Sequence, residues 1–300
     1  QKIREDFAVL QKGFAYFDNA CMTLKPNQVV EKINQYYTEF PACAGRSAHK
    51  LAESVDIEMM RARKSMRKLI GAKSASECIF TRNTTEGINL IAHQFGRNDE
   101  VIITDKEHNS NLIPWLKRGV KLKVVQSNDD NTFNMDAFEE LLSKNTKLVS
   151  INHISNLDGV ENPIEEITKR AHEVGAKVLI DGAQGIPSTG IDVKKTGCDF
   201  LSFSGHKMLG PTGTGLLYGK AAALEELDQF LVGGETVQDS TYESYVPEEI
   251  PEKFEAGLQD YANIIGFGEA ARYLMGKGYS AIRKHEIRLN KQLTDGLRSI

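Results

Sequence analysis

From Glu77 to Gly219 the chain repeats one rhythm: a short run of apolar and β-branched residues, a polar break, then a stretch with helical spacing. "ECIFT" leads to "TEGINLIAHQF", "EVIIT" to "NLIPWLKRG", "LKVVQ" to "MDAFEELLSK" and "KLVSIN" to "IEEITKRAHEVG". "KVLID", "DFLSFS" and "TGLLYG" continue the strand series. Runs that are apolar at nearly every position read as strands buried on both faces, and strands separated by helices join in parallel. The expected fold class is α/β, with a mainly parallel central sheet covered by helices on both sides.

The rhythm lapses near Gly233 into a polar, proline-containing connection, "GGETVQDSTYESYVPEEIPEKFEAG", before helical patterns resume at about Tyr261 and Tyr279. A domain transition is expected there. Residues 15–250 are expected to form the large domain, and 1–14 with 251–300 to belong to a smaller one. In the last segment Ile282, Leu289, Leu293 and Leu297 fall close to one helical face. That stripe needs a partner, so a C-terminal continuation is expected.

Composition narrows the class. Forty per cent apolar and 26% charged residues in 300 fit a soluble globular protein with a sizeable core. A formal charge of -4 without a long basic run gives no footprint for nucleic acid. The start is too polar for a secretory signal, and no window approaches the roughly 18 apolar residues of a membrane helix, so a cytoplasmic location is expected. Cys21, Cys43, Cys78 and Cys198 are widely spaced, with no CxxC pair, which reads as free thiols rather than a disulfide framework or zinc site.

In open α/β sheets ligand groups gather beyond the carboxyl ends of the strands. The residues there are "TRNTTEG" (81–87), "TDKEHNSN" (104–111), "INHISN" (151–156), "IDGAQG" (180–185) and "FSGHK" (203–207). Together they supply a lysine, a carboxylate, a histidine, hydroxyls and a helix N-terminus. Singly, each has an ordinary explanation: a solvated strand-end lysine, a carboxylate or Thr84 capping the next helix, an exposed loop histidine. As a set they suit an anionic, planar, nitrogen-containing aldehyde, and pyridoxal phosphate is the candidate. "GPTGTG" (210–215) lacks the GK[ST] ending of a P-loop, so nucleotide binding is not expected.

"DGAQ", nineteen residues, then "SGHKMLGPTGTGLLYG", with "TTEGINLIA" upstream and "FEAG" downstream, resembles the class V aminotransferase group of fold-type I pyridoxal phosphate enzymes. "EHNSNLIPW" and "HISNLDGVENP" are most similar to cysteine desulfurases and selenocysteine lyases, and the likeness runs from about Tyr16 to the last residue. The resemblance implies a large domain with the start of a smaller α/β domain. It implies that Lys207 carries the cofactor and shuttles the substrate proton, that Asp181 holds the pyridine nitrogen protonated, and that His108 stacks on the ring and serves as acid or base. Thr84, Thr85, Ser204 and His206 would cradle the phosphate, while Gln184 and Asn156 would approach the ring oxygen. The implied reaction converts L-cysteine to L-alanine with sulfur passed to a thiol, for sulfur mobilisation such as iron–sulfur cluster assembly. Aminotransferase, selenocysteine lyase, epimerase and an inactive scaffold are the alternatives. A homodimer and a sulfur-acceptor protein are the expected partners.

The pattern departs from the family at three places. Leu258 follows "FEAG" where relatives carry a threonine that reaches the neighbouring subunit's cofactor, which puts that contact in doubt. Cys21 replaces a small residue near the substrate, and with Cys43 it is either an unusual nucleophile or inert packing. The family's sulfur-accepting cysteine and carboxylate-binding arginine are expected beyond Ile300.

Overall fold

Each of the seven apolar runs is a strand in the computed structural model, which describes residues 2–45 and 47–300. They are β1 (Cys78–Thr81), β2 (Glu100–Thr104), β3 (Lys121–Val125), β4 (Thr146–Asn152), β5 (Lys177–Asp181), β6 (Phe200–Ser204) and β7 (Gly215–Gly219). Among the described residues they form one seven-stranded sheet in the order β1-β7-β6-β5-β4-β2-β3. The pairs β2–β3, β2–β4, β4–β5 and β5–β6 are parallel, and only β7 runs against its neighbours β1 and β6.

Burial on both faces explains the unbroken apolar runs. In β5, Val178 and Ile180 join the core on one side of the sheet and Leu179 joins the core on the other. Successive strand side chains point to opposite faces, so both faces must be covered.

The helices are α1 (Asn27–Glu39), α2 (Lys50–Ile70), α3 (Thr84–His93), α4 (Asn109–Arg118), α5 (Met135–Leu141), α6 (Ile164–Glu173), α7 (Gly185–Ser188), α8 (Val193–Thr196), α9 (Ala221–Glu225), α10 (Tyr261–Lys277) and α11 (Tyr279–Arg298). Ala62, Met66 and Leu69 of α2 share a core with Ile264, Phe267 and Ala271 of α10, while α3 and α4 cover the opposite face through Ile88, Ile91 and Trp115. A Cβ on Gly268 of α10 would lie 2.5 Å from Ala62 Cα, so only glycine permits this helix crossing. Although α10 follows the transition expected near Gly233, it shares the core of the sheet.

Two further strands, β8 (Val237–Ser240) and β9 (Tyr245–Pro247), form an antiparallel hairpin inside the segment that reads in sequence as a polar connection. Its residues are exposed apart from Val237. The stripe on α11 divides: Ile282 packs against the core, whereas Leu289, Leu293 and Leu297 face solvent. Among the described residues no helix is long and apolar enough to cross a membrane.

Candidate active site

Parallel strands end at one edge of the sheet, and five of their loops meet there. Register aligns them: Asn152 at the end of β4 lies opposite Asp181 at the end of β5, and Asp181 lies opposite Ser202 of β6. The loops enclose a cavity of about 460 Å³ lined by Thr84, Thr85, His108, Asn156, Asp181, Gln184, Ser204, His206 and Lys207. All nine residues expected to act in catalysis or cofactor binding therefore border one space.

Asp181 is buried at the cavity floor, where its Oδ1 accepts from Ala183 N at 2.9 Å. Burial raises its pKa, and the charges of Lys207 and His108 act against that rise. Lys207 is half-buried, in a single 3-10 turn after β6, and its amine makes no hydrogen bond or ion pair with the described residues. His108 is the exposed N-cap of α4: Nδ1 accepts from Ser110 N at 3.1 Å. In the neutral ring this leaves the proton on Nε2.

The first turn of α3 closes one end. Its cap is Asn83, whose side chain accepts from Glu86 N at 3.0 Å, and not Thr84 as the sequence suggests. Thr84 is instead joined to β6: its N–H donates to Ser204 Oγ at 2.8 Å and the two hydroxyls lie 2.6 Å apart. Thr85 Oγ1 meets Ser110 Oγ at 2.7 Å, which ties α3 to α4. The hydroxyls of Thr84, Thr85 and Ser204, the imidazole of His206 and the positive end of the α3 dipole together suit an anion. Burial lowers the His206 pKa, and the neighbouring Lys207 and Lys25 charges lower it further.

Gln184 directs an amide N–H to Ala20 O at 2.8 Å, binding the N-terminal arm to the cavity rim. That arm brings Asp18 and Cys21 to the lining. Cys21 and Cys43 are both exposed, contrary to a packing role, and Cys43 is not in the cavity wall. Cys78 and Cys198 are the buried pair, with thiols pushed up to about 12 by burial.

Three contributors were not picked out from the sequence. Ser110 and Asn152 lie inside "TDKEHNSN" and "INHISN" and line the cavity. Glu107 lies behind His108: its carboxylate accepts from Thr104 Oγ1 at 2.7 Å, Asn152 N at 3.1 Å and Asn111 Nδ2 at 2.8 Å. Its place next to His108 was the available signal.

The residues fit pyridoxal phosphate. A buried carboxylate at the floor, an unpaired amine at the wall and an anion cradle at one end match the ring nitrogen, the aldehyde and the phosphate of that molecule.

The family model for aminotransferase class-V matches residues 15–300. The chain is 41% identical to a probable cysteine desulfurase of Synechocystis sp., over 99% of this chain and 74% of that protein. It is 38% identical to a cysteine desulfurase of Haloferax volcanii, over 98% of this chain and 76% of that one. Its fold superposes on the apo structure of the cysteine desulfurase from Thermococcus onnurineus with a TM-score of 0.94 at 36% identity, covering 99% of this chain and 76% of the other. With the strand-end constellation intact and the family model spanning nearly its whole length, the chain belongs to the class-V aminotransferase family.

Proposed function

We propose that this chain is a pyridoxal phosphate-dependent cysteine desulfurase, converting L-cysteine to L-alanine with transfer of sulfur to an acceptor thiol. The observation that carries the reading is the convergence of Lys207, Asp181, His108 and the α3 cradle on one cavity. The names of its relatives support the choice of substrate.

Thr84, Thr85, Ser204 and His206 would hold the phosphate, Lys207 the aldehyde carbon, and Asp181 the ring nitrogen with its proton. When bound, pyridoxal phosphate withdraws electrons from the substrate Cα. Lys207 is the base that takes the Cα proton and the acid that returns it, because its amine is otherwise unpaired and lines the cavity. Asp181, held in place by Ala183 N, would supply a carboxylate to pair with the protonated ring nitrogen. His108, fixed as the cap of α4 with its proton on Nε2, is the proton donor and acceptor at the opposite side. An acceptor thiolate takes the sulfur, leaving alanine.

The partners are L-cysteine, a sulfur-accepting protein and a second copy of the chain. The second copy is favoured by exposed apolar residues, Tyr242, Tyr245, Val246 and Leu258, on and near the β8–β9 hairpin. The test of the reading is alanine and sulfide production from L-cysteine with reductant, together with borohydride fixation of the cofactor. A labelled peptide containing Lys207, and loss of both signals in Lys207→Ala, is the expected result. Labelling at another lysine would refute it.

A further inference from the structure

No hydrogen bond or ion pair with the described residues fixes where the Lys207 side chain points. Among the described residues its amine has no hydrogen-bonding partner, and the residue borders two spaces at once: the cavity of about 460 Å³ and an adjoining groove of about 1260 Å³ between the N-terminal turns and α11. The direction of its side chain must therefore come from its backbone.

That backbone is gripped by the N-terminal arm. The carbonyl of His206, which shares a peptide plane with the Lys207 N–H, accepts three hydrogen bonds: from Thr23 N at 2.9 Å, Thr23 Oγ1 at 3.0 Å and Lys25 Nζ at 3.2 Å. The Thr23 hydroxyl also accepts from Leu209 N at 2.8 Å, so one side chain spans both flanks of Lys207. Leu209 adopts φ +68°, a left-handed conformation that a branched non-glycine residue takes only when its surroundings impose it. Lys25 Nζ also donates to the Thr23 carbonyl, which stiffens the arm itself. Thr23 is buried, and both hydrogen-bonding capacities of its hydroxyl are used within the turn.

We propose that Thr23 and Lys25 are positioning residues for Lys207, holding the His206–Lys207 peptide so that the lysine enters the smaller cavity. This rests on the reading of Lys207 as the cofactor-bearing lysine. A single carbonyl with three donors, one of them an ammonium, is a far stiffer anchor than a loop peptide facing water. Misplacement of a reacting group by about 1 Å can cost on the order of 100-fold in rate. The hydroxyl of Thr23, which serves both flanks, carries more of the effect than Lys25.

The experiment compares the wild-type chain with Thr23→Val, Thr23→Ser, Lys25→Met and Lys25→Arg. Pyridoxal phosphate is added to each, and the rate of borohydride-trappable attachment at Lys207 is followed by peptide mass, beside the melting temperature of the cofactor-free chain. The expected result is attachment slower by roughly 10- to 100-fold in Thr23→Val, a smaller loss in Lys25→Met, and recovery in Thr23→Ser and Lys25→Arg. A merely structural role would lower the melting temperature and leave attachment unchanged. Attachment at the wild-type rate in both Thr23→Val and Lys25→Met overturns the proposal. Undiminished trapping in Lys207→Ala would instead overturn the assignment of Lys207, so the two failures are distinguishable.

Discussion

Asp181 is the residue whose surroundings most narrow its role. It is buried, accepts one backbone hydrogen bond, and its pKa is raised by burial while Lys207 and His108 pull the other way. Asp181→Asn can keep the oxygen that accepts from Ala183, while the charge is removed and the second oxygen becomes an NH2 donor. The fold is expected to survive, while exchange of the Cα proton of L-alanine into deuterated water slows by roughly 100- to 1000-fold, the usual scale for losing one preorganised electrostatic group. Exchange at the wild-type rate with cofactor bound would remove Asp181 from the chemistry. Glu107 supplies a pH prediction. Burial pushes it from its ordinary 4.5 up to about 7, against the three hydrogen bonds it accepts. Between those two values the folded chain binds more protons than the unfolded one, so this group's contribution to stability falls as pH rises through that window and is constant outside it. The difference in urea midpoint between wild type and Glu107→Gln should therefore change from pH 4.5 to pH 7. Parallel curves would contradict it. At this scale the residues that line the cavity were legible in the sequence because they sit just beyond strand ends. The cap of α3 was misassigned, since Asn83 and Thr84 are both good capping residues and only the backbone turn decides between them.

Most strands of the sheet were readable as elements because burial on both faces left them largely apolar, whereas the edge strand β3, with Lys121 and Lys123, is only partly buried. The helix α2 escaped notice although Ala52, Val55, Ala62, Met66 and Leu69 are buried at spacings of three, four and seven. Its buried positions include small alanines, and Leu51, Ile57 and Met60 are exposed on the same helix, which blurs the apolar stripe. The β8–β9 hairpin has no alternation to read, because both of its faces meet solvent. Packing of α3 on β6 yields a testable consequence for the phosphate cradle. A Cβ on Gly87 would lie 2.3 Å from Ser202 Oγ and 3.2 Å from Ser202 Cβ. Helix propensity alone favours alanine over glycine by about 1 kcal/mol, but overpacking of this kind costs about 1–3 kcal/mol. Gly87→Ala should therefore destabilise the chain in urea, and the displaced α3, carrying Thr84 and Thr85, should weaken binding of pyridoxal phosphate. Gly96→Ala, with no atom within 4 Å of the new methyl, is the control that leaves both unchanged. Unaltered cofactor affinity in Gly87→Ala, with stability lost, would uncouple α3 packing from the cradle.

At the scale of the whole molecule, the surface outside the cavity has an unusual feature in the β8–β9 hairpin. A two-stranded ribbon is marginally stable in water and holds its shape when another layer covers it. Here Tyr245 and Val246, adjacent on β9 and so directed to opposite faces, are both about half exposed, and Tyr242 at the turn is fully exposed. Leu258, just before α10, adds a fourth exposed apolar side chain, 68% accessible. Apart from Val237 the ribbon's residues are exposed, and we propose that a second copy of the chain supplies the covering layer, since a twofold partner can cover one such patch with its own. The expected outcome is a dimer in sedimentation equilibrium at micromolar concentration. The double substitution Tyr245→Glu with Val246→Glu should shift it to monomer, since two carboxylates cannot be desolvated at an apolar interface without a partner. Hydrogen exchange separates this from a hairpin that is stable alone: amides of Val237–Ser240 and Tyr245–Pro247 should be protected in the dimer and exchange freely in the variant. A wild-type chain that sediments as a monomer while those amides stay protected would show that the ribbon needs no partner, and the homodimer reading would fall.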